Sequence, residues 1–341
     1  MDYCSDRNSG PRIIEYSHRG LTHIRIENEA LCITVLVDKG ADIISFIYKP
    51  ADTEVMLRMP GGVRDTAKFI PTSGSPTGAF FDYYPGGWQE ALPGGNPKTI
   101  EGAQTGLHGE ACCLPWDFDV IEDNAKVVSV KLSCELIRFP FRIAKTLTLK
   151  KGESKLYVDE QVENLSDEQK DLMWAQHIAF GQPFISPECT IDLDAKSFRT
   201  TSYFNSPTAY FPANHSGEWP RSTSPDGKVI DFSNVSPAGK PHSDMYYIKE
   251  LQKGEYSIHN PSLDMGIKLS WDMDIYPYIT YINVTGGLKG YPFYGRVYYV
   301  GLELWNTFSD VYDEAKENGS LRKIKPLETI ETQICVEIVS Q

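Results

Sequence analysis

No stretch of 18 apolar residues occurs in this sequence, so none reads as a membrane-crossing helix. Residues 1–10, Met-Asp-Tyr-Cys-Ser-Asp-Arg-Asn-Ser-Gly, read as a polar tail without the apolar region of a secretory leader. Basic residues are in deficit: 33 Lys and Arg stand against 46 Asp and Glu, a net charge of −13. That balance argues against nucleic acid and anionic membranes as partners, because both need a basic face. It leaves a neutral or cationic small ligand open. Cysteine is sparse and unpatterned. The seven, at 4, 32, 112, 113, 134, 189 and 335, are odd in number and include no Cys-x-x-Cys pair. Neither a disulfide framework nor a zinc ribbon is indicated, and the expected location is a reducing compartment, the cytoplasm. Also missing are a Gly-x-Ser-x-Gly elbow, a Walker A loop and a dinucleotide fingerprint. These absences imply no cofactor and favour simple acid–base chemistry.

What is present favours strands. Aromatics make up 12% of the 341 residues, with 19 Tyr, and such rings suit both pleated sheets and surfaces that stack on sugars. Near-regular strand signals run through residues 11–58, and Lys126–Ile137 alternates with a period of two. No helix–strand alternation, composition break or internal repeat divides the chain. The expected fold is therefore all-β, one large antiparallel β-sandwich over residues 1–341. Ser309–Gly319 is the best helix candidate, with early acids and a glycine stop. Residues 60–106 are rich in Pro and Gly and carry Phe80, Phe81, Tyr83, Tyr84, Trp88, Gln89 and Glu90. A long irregular section of this kind tends to wall a site, and aromatics beside Gln and Glu suit a sugar ring. The same aromatics could equally anchor the loop to the core.

Chemistry centres on Val297–Phe308, an apolar strand signal that holds one acid, Glu303. A buried carboxylate is either paired structurally or used chemically, because burial without a partner is costly or raises its pKa. Two histidines stand in matching settings. His108 lies between Gly106 and Gly109, and His177 sits in the apolar strand Leu172–Ala179. Histidine gives or takes a proton near neutral pH, and a buried acid can be tuned to the same range. A facing pair would form a proton shuttle without metal or cofactor. Alternatively, His108, Glu110 and His177 could hold a metal as in a cupin, although no His-x-His pair is present.

The order of these segments resembles the aldose 1-epimerase, or galactose mutarotase-like, family. The resemblance rests on Gly106-Leu107-His108-Gly109, on Val162-Glu163-Asn164-Leu165-Ser166 followed by Trp174-Ala175-Gln176-His177, and on Val300-Gly301-Leu302-Glu303. Asp38-Lys39-Gly40-Ala41-Asp42 also matches an early strand and turn of the family. The resemblance implies a large β-sandwich with a sugar-binding cleft and interconversion of α and β anomers of an aldose. It makes Glu303 the general base, His177 the general acid, and His108 and Asp244 sugar ligands. The family's Asn-Arg pair ahead of the first histidine is absent. Gly86–Asn96 stands there instead, so Trp88, Gln89, Glu90 or Asn96 is expected to contact the sugar and alter its choice. Tyr281 and Asn283 share one strand face, taken to point into the cleft. A non-catalytic sugar-binding protein on the same fold remains an alternative. A phosphorylated sugar would need Arg64, Lys68, Lys289 and Arg296 to converge.

Overall fold

Strands of alternating sequence pair antiparallel into two principal sheets in the computed structural model, which describes residues 7–68, 74–204, 206–235 and 240–340. The larger sheet has twelve strands, and its middle positions the site. From Asp42–Tyr48 the order continues through Trp88–Ala91, Ala175–Gly181, Tyr298–Trp305 and Tyr278–Thr285 to Ser243–Lys249 and Ser197–Thr200. The second sheet has eight strands, with Thr329–Ser340 and Lys155–Asn164 at its centre. The core lies between them. Val128, Val130 and Leu132 point inward from the smaller sheet, as their alternation predicts, and Ile178, Leu302 and Leu304 from the larger. The sheets touch where Tyr256 Oη donates to the Leu302 carbonyl at 3.1 Å. The expected antiparallel β-sandwich is thus observed.

The helix expected over Ser309–Gly319 forms at Tyr312–Glu317, and Gly319 follows at φ +76°. Residues 60–106 differ from their reading as loop. They include the short helix Gly78–Phe81 and the central strand Trp88–Ala91. All four residues of that strand are buried, so Trp-Gln-Glu-Ala shows no hydrophobic alternation to announce it. Gly87 leads into the strand at φ +87°, where a Cβ would lie 2.2 Å from the Ile43 carbonyl oxygen. Only glycine lets the backbone come so close.

Trp88 and Glu90, expected at the sugar, face the sandwich interior instead. Trp88 Nε1 donates to Gln176 Oε1 at 2.7 Å. Glu90 accepts from Gln176 Nε2 at 2.8 Å, and from Trp174 Nε1 and Lys145 Nζ, each at 3.2 Å. Of Trp88, Gln89 and Glu90, the period of two sends only Gln89 to the outer face, where Ala91 also lies. Among the described residues no helix is long and apolar enough to cross a membrane, and the six described cysteines are free.

Candidate active site

The strand register assembles a polar row on the outer face of the larger sheet. Gln89 is opposite His177, Glu303 opposite Thr280, Thr280 opposite Tyr247, and Tyr247 opposite Arg199. Ala175 opposite Trp305 and Ala179 opposite Gly301 put His177 directly across from Glu303. Directly opposed residues share a face, so side chains far apart in sequence meet here. The next row, Met245, Ile282, Gly301 and Ala179, is apolar.

His177 Nε2 lies 3.4 Å from Glu303 Oε1, and Trp305 Nε1 donates to Glu303 Oε2 at 2.9 Å. On its other side, His177 Nδ1 is 3.0 Å from Gln89 Oε1. The Gln89 amide nitrogen donates to the Gly86 carbonyl at 2.6 Å. A carbonyl can only accept, so Gln89 turns its oxygen to the ring and Nδ1 carries the proton. Nε2 is left as the basic atom facing Glu303. Burial pushes the Glu303 carboxyl up to about 8; the Trp305 bond opposes the rise and the Asp310 carboxylate adds to it. Burial holds the His177 imidazole down to about 4, and the Lys39 ammonium adds to the fall, while a backbone hydrogen bond opposes it. Near neutral pH the pair therefore holds one proton, resting on Glu303.

His108 completes this end of the cleft. Its ring centroid is 4.6 Å from that of His177, and its Nδ1 is buried without a hydrogen-bond partner. The backbone there is strained, with His108 at φ +60°. Burial, then the His177 and Lys39 charges, hold the imidazole well below its usual range. Glu110 turns away and accepts from the Ile137 and Arg138 amides, so the His108-Gly109-Glu110 run does not converge as a cupin ligand set would.

A second acid, Asp310, projects into the same cleft. Its Oδ2 accepts from Asn96 Nδ2 at 3.1 Å and from Tyr203 Oη at 2.5 Å, and its Oδ1 accepts from Tyr247 Oη. Burial pushes this carboxyl up to about 6 against the opposing tyrosine bonds. The cleft measures about 300 Å³ and is walled by Phe80, Phe81, Tyr84, Leu288 and Phe293. That size falls at the small end of ligand pockets, which span roughly 300–1,000 Å³.

The structure thus brings Glu303, His177, His108, Gln89 and Asn96 together. It does not bring Asp244, Tyr281 and Asn283 to them. Ile282 and Met245 line the cleft, so their strand neighbours face the core. There Asn283 Nδ2 donates to Tyr281 Oη at 2.7 Å, and Asp244 accepts from the Tyr210 amide at 2.9 Å and from Tyr246 Oη. Arg64, Lys68, Lys289 and Arg296 do not line the cleft either. Arg64 donates to the Asp82 carbonyl, Lys68 pairs with Asp65, and Arg296 lies over the Tyr294 ring. Asp310, Tyr203 and Tyr247 went unread. Asp310 looks in sequence like an early helix acid, and its tyrosines lie over 60 residues away.

A family profile described as "Domain of unknown function (DUF4432)" matches residues 18–338. The chain belongs to the DUF4432 family. No curated protein matches this DUF4432 sequence. Solved structures do resemble its fold. A Klebsiella pneumoniae protein provisionally assigned as an aldose 1-epimerase superposes with a TM-score of 0.73 at 14% identity, covering 97% of this chain and 88% of the other. A galactose mutarotase-like protein of Clostridium acetobutylicum gives 0.67 at 14% identity over 97% and 99% of the two chains. One from Lactobacillus casei gives 0.58 at 14% over 93% and 100%. The DUF4432 chain therefore has the galactose mutarotase-like β-sandwich fold.

Proposed function

We propose that this DUF4432 protein is an aldose 1-epimerase-like isomerase that interconverts the α and β anomers of a sugar. The observation that carries the reading is the Glu303–His177 contact at 3.4 Å inside a cleft of about 300 Å³. The anomeric hydroxyl and the ring oxygen are bonded to the same carbon. An acid and a base that serve them must therefore stand side by side, as these two do. Aromatic walls would stack on the apolar faces of the ring.

In the reaction, the proton held by Glu303 passes to His177 Nε2 as the sugar's hydroxyls solvate the carboxylate. Glu303 then takes the anomeric proton while the imidazolium protonates the ring oxygen. The bond between the anomeric carbon and the ring oxygen breaks, and the carbonyl forms. Rotation about the C1–C2 bond turns the aldehyde over. Closure reverses both transfers and returns the pair with its one proton. His108, which lines the cleft, would bond the sugar near the ring oxygen.

Polarimetry of freshly dissolved aldoses tests this. Glu303→Gln should lose about 10²–10⁴-fold of the acceleration while keeping the fold, the usual worth of a positioned acid or base. Wild-type rates in that variant would sink the proposal. Saturable sugar binding with no acceleration by the native protein would support a binding module instead.

A further inference from the structure

The cleft face is chemically divided. On one side stands the polar row with Asp310, Asn96 and Tyr203 beside it. Adjoining it, Met245 and Ile282 rise from the sheet, and Leu288 and Phe293 come from the following loop; the two sides meet where Tyr203 Oη lies 3.6 Å from Met245 Sδ. Among the described residues lining the cleft there is no Lys or Arg, whereas two acids, Glu303 and Asp310, are present. A phosphate or carboxylate on the sugar would meet the Asp310 carboxylate and no Lys or Arg to balance it. A hydroxyl pressed on the Met245, Ile282, Leu288 and Phe293 side chains would lose water and gain no hydrogen bond from those four.

Consider a pyranose with its anomeric hydroxyl and ring oxygen on the pair. C2 and C5 then flank the reacting edge. The flank with Asp310, Asn96 and Tyr203 offers partners for the C2 hydroxyl. The other flank, which receives C6, is apolar. A methyl group suits it better than a hydroxymethyl group. We infer that the sugar is a neutral 6-deoxyhexose, with its reacting edge on Glu303 and His177 and its methyl end on the Met245, Ile282, Leu288 and Phe293 wall. This inference rests on the epimerase reading above.

The test compares kcat/KM for anomer exchange, read by NMR, within matched pairs: D-fucose against D-galactose and 6-deoxy-D-glucose against D-glucose. D-Galacturonate and D-glucose 6-phosphate serve as anionic probes. The deoxy member of at least one pair should be favoured by about tenfold to a hundredfold, the worth of a small group in an apolar pocket. Ile282→Ser should bring that ratio toward one. Equal or better turnover of both hydroxylated parents, faster turnover of either anion, or a ratio unmoved by Ile282→Ser would overturn the substrate class and leave the epimerase reading standing. If no sugar is accelerated, the epimerase reading fails, and binding decides the class separately. Tighter binding of D-fucose than D-galactose in saturation-transfer NMR would then retain it, and equal binding would overturn it.

Discussion

Gln89 fixes the tautomer of His177. Its amide nitrogen donates to the Gly86 carbonyl, which turns its oxygen to His177 Nδ1 at 3.0 Å. Gln89→Leu removes this bond and leaves the ring free to turn or to carry its proton on Nε2. Activity should fall by up to about a hundredfold, the cost of misplacing a reacting group by an ångström. Gln89→Glu should instead place a carboxylate beside Nδ1 and raise the His177 pKa. The acid limb of its pH–rate profile would move toward neutrality. An unmoved limb in Gln89→Glu would show that Gln89 does not act through His177.

The pH profile of the native protein follows from the pair. Turnover needs one proton shared by Glu303 and His177. It should fall as pH drops through about 4, where both are protonated, and as pH rises through about 8, where neither is. The profile of kcat/KM should therefore be a broad bell. A single limb near the ordinary histidine value would refute the pairing.

The same shifts set stability. Glu303 is held above its unfolded-chain value, so its contribution is full at acid pH and is lost as pH rises through about 8. His177 is held below its own, so its contribution is full above 6.5 and is lost as pH falls through about 4. Glu303→Gln cannot ionise. Its melting temperature relative to wild type should rise steadily between about pH 5 and pH 9. Parallel curves across that range would contradict a buried carboxyl that stays neutral.

Much of the site was legible because the chemistry is local. Glu303 in an apolar run and His177 in another each announced a buried titratable group, and His108 stood out between glycines. Period-two alternation gives the sheets, but it cannot say which face of a mostly buried strand looks outward. Tyr281 and Asn283 were therefore placed on the wrong face. Trp88 and Glu90 failed for the same reason, since Trp88–Ala91 is buried on both sides. Asp310 was invisible because its partners Tyr203 and Tyr247 arrive only through long-range strand order.

Beneath the site, Lys145 is buried with Glu90, and Glu160 lies in the same polar layer. Burial, then the Glu90 charge, holds the Glu160 carboxyl well above its usual range, so Lys145 need balance only Glu90. Lys145→Met leaves that carboxylate unpaired in the core. It should cost about 3–5 kcal/mol in urea unfolding, as loss of one partner of a buried pair does. Replacing Glu90 by Gln as well should recover part of that loss. A double variant no more stable than Lys145→Met would deny the pairing.

Asp310 ties the cleft's far wall to its chemistry. Two tyrosines and Asn96 aim at its carboxylate, and its charge is one of the forces that raise the Glu303 pKa. Asp310→Asn keeps the shape but removes the charge and turns an amide toward donors. Two effects should separate. KM should rise, because the sugar loses an acceptor and the tyrosines lose theirs. The alkaline limb of the pH profile should move to lower pH, because a carboxylate that repelled the ionised form of Glu303 is gone. A raised KM with an unmoved limb would assign Asp310 to binding alone. A moved limb with unchanged KM would place it in the electrostatics of the pair and outside the sugar's reach.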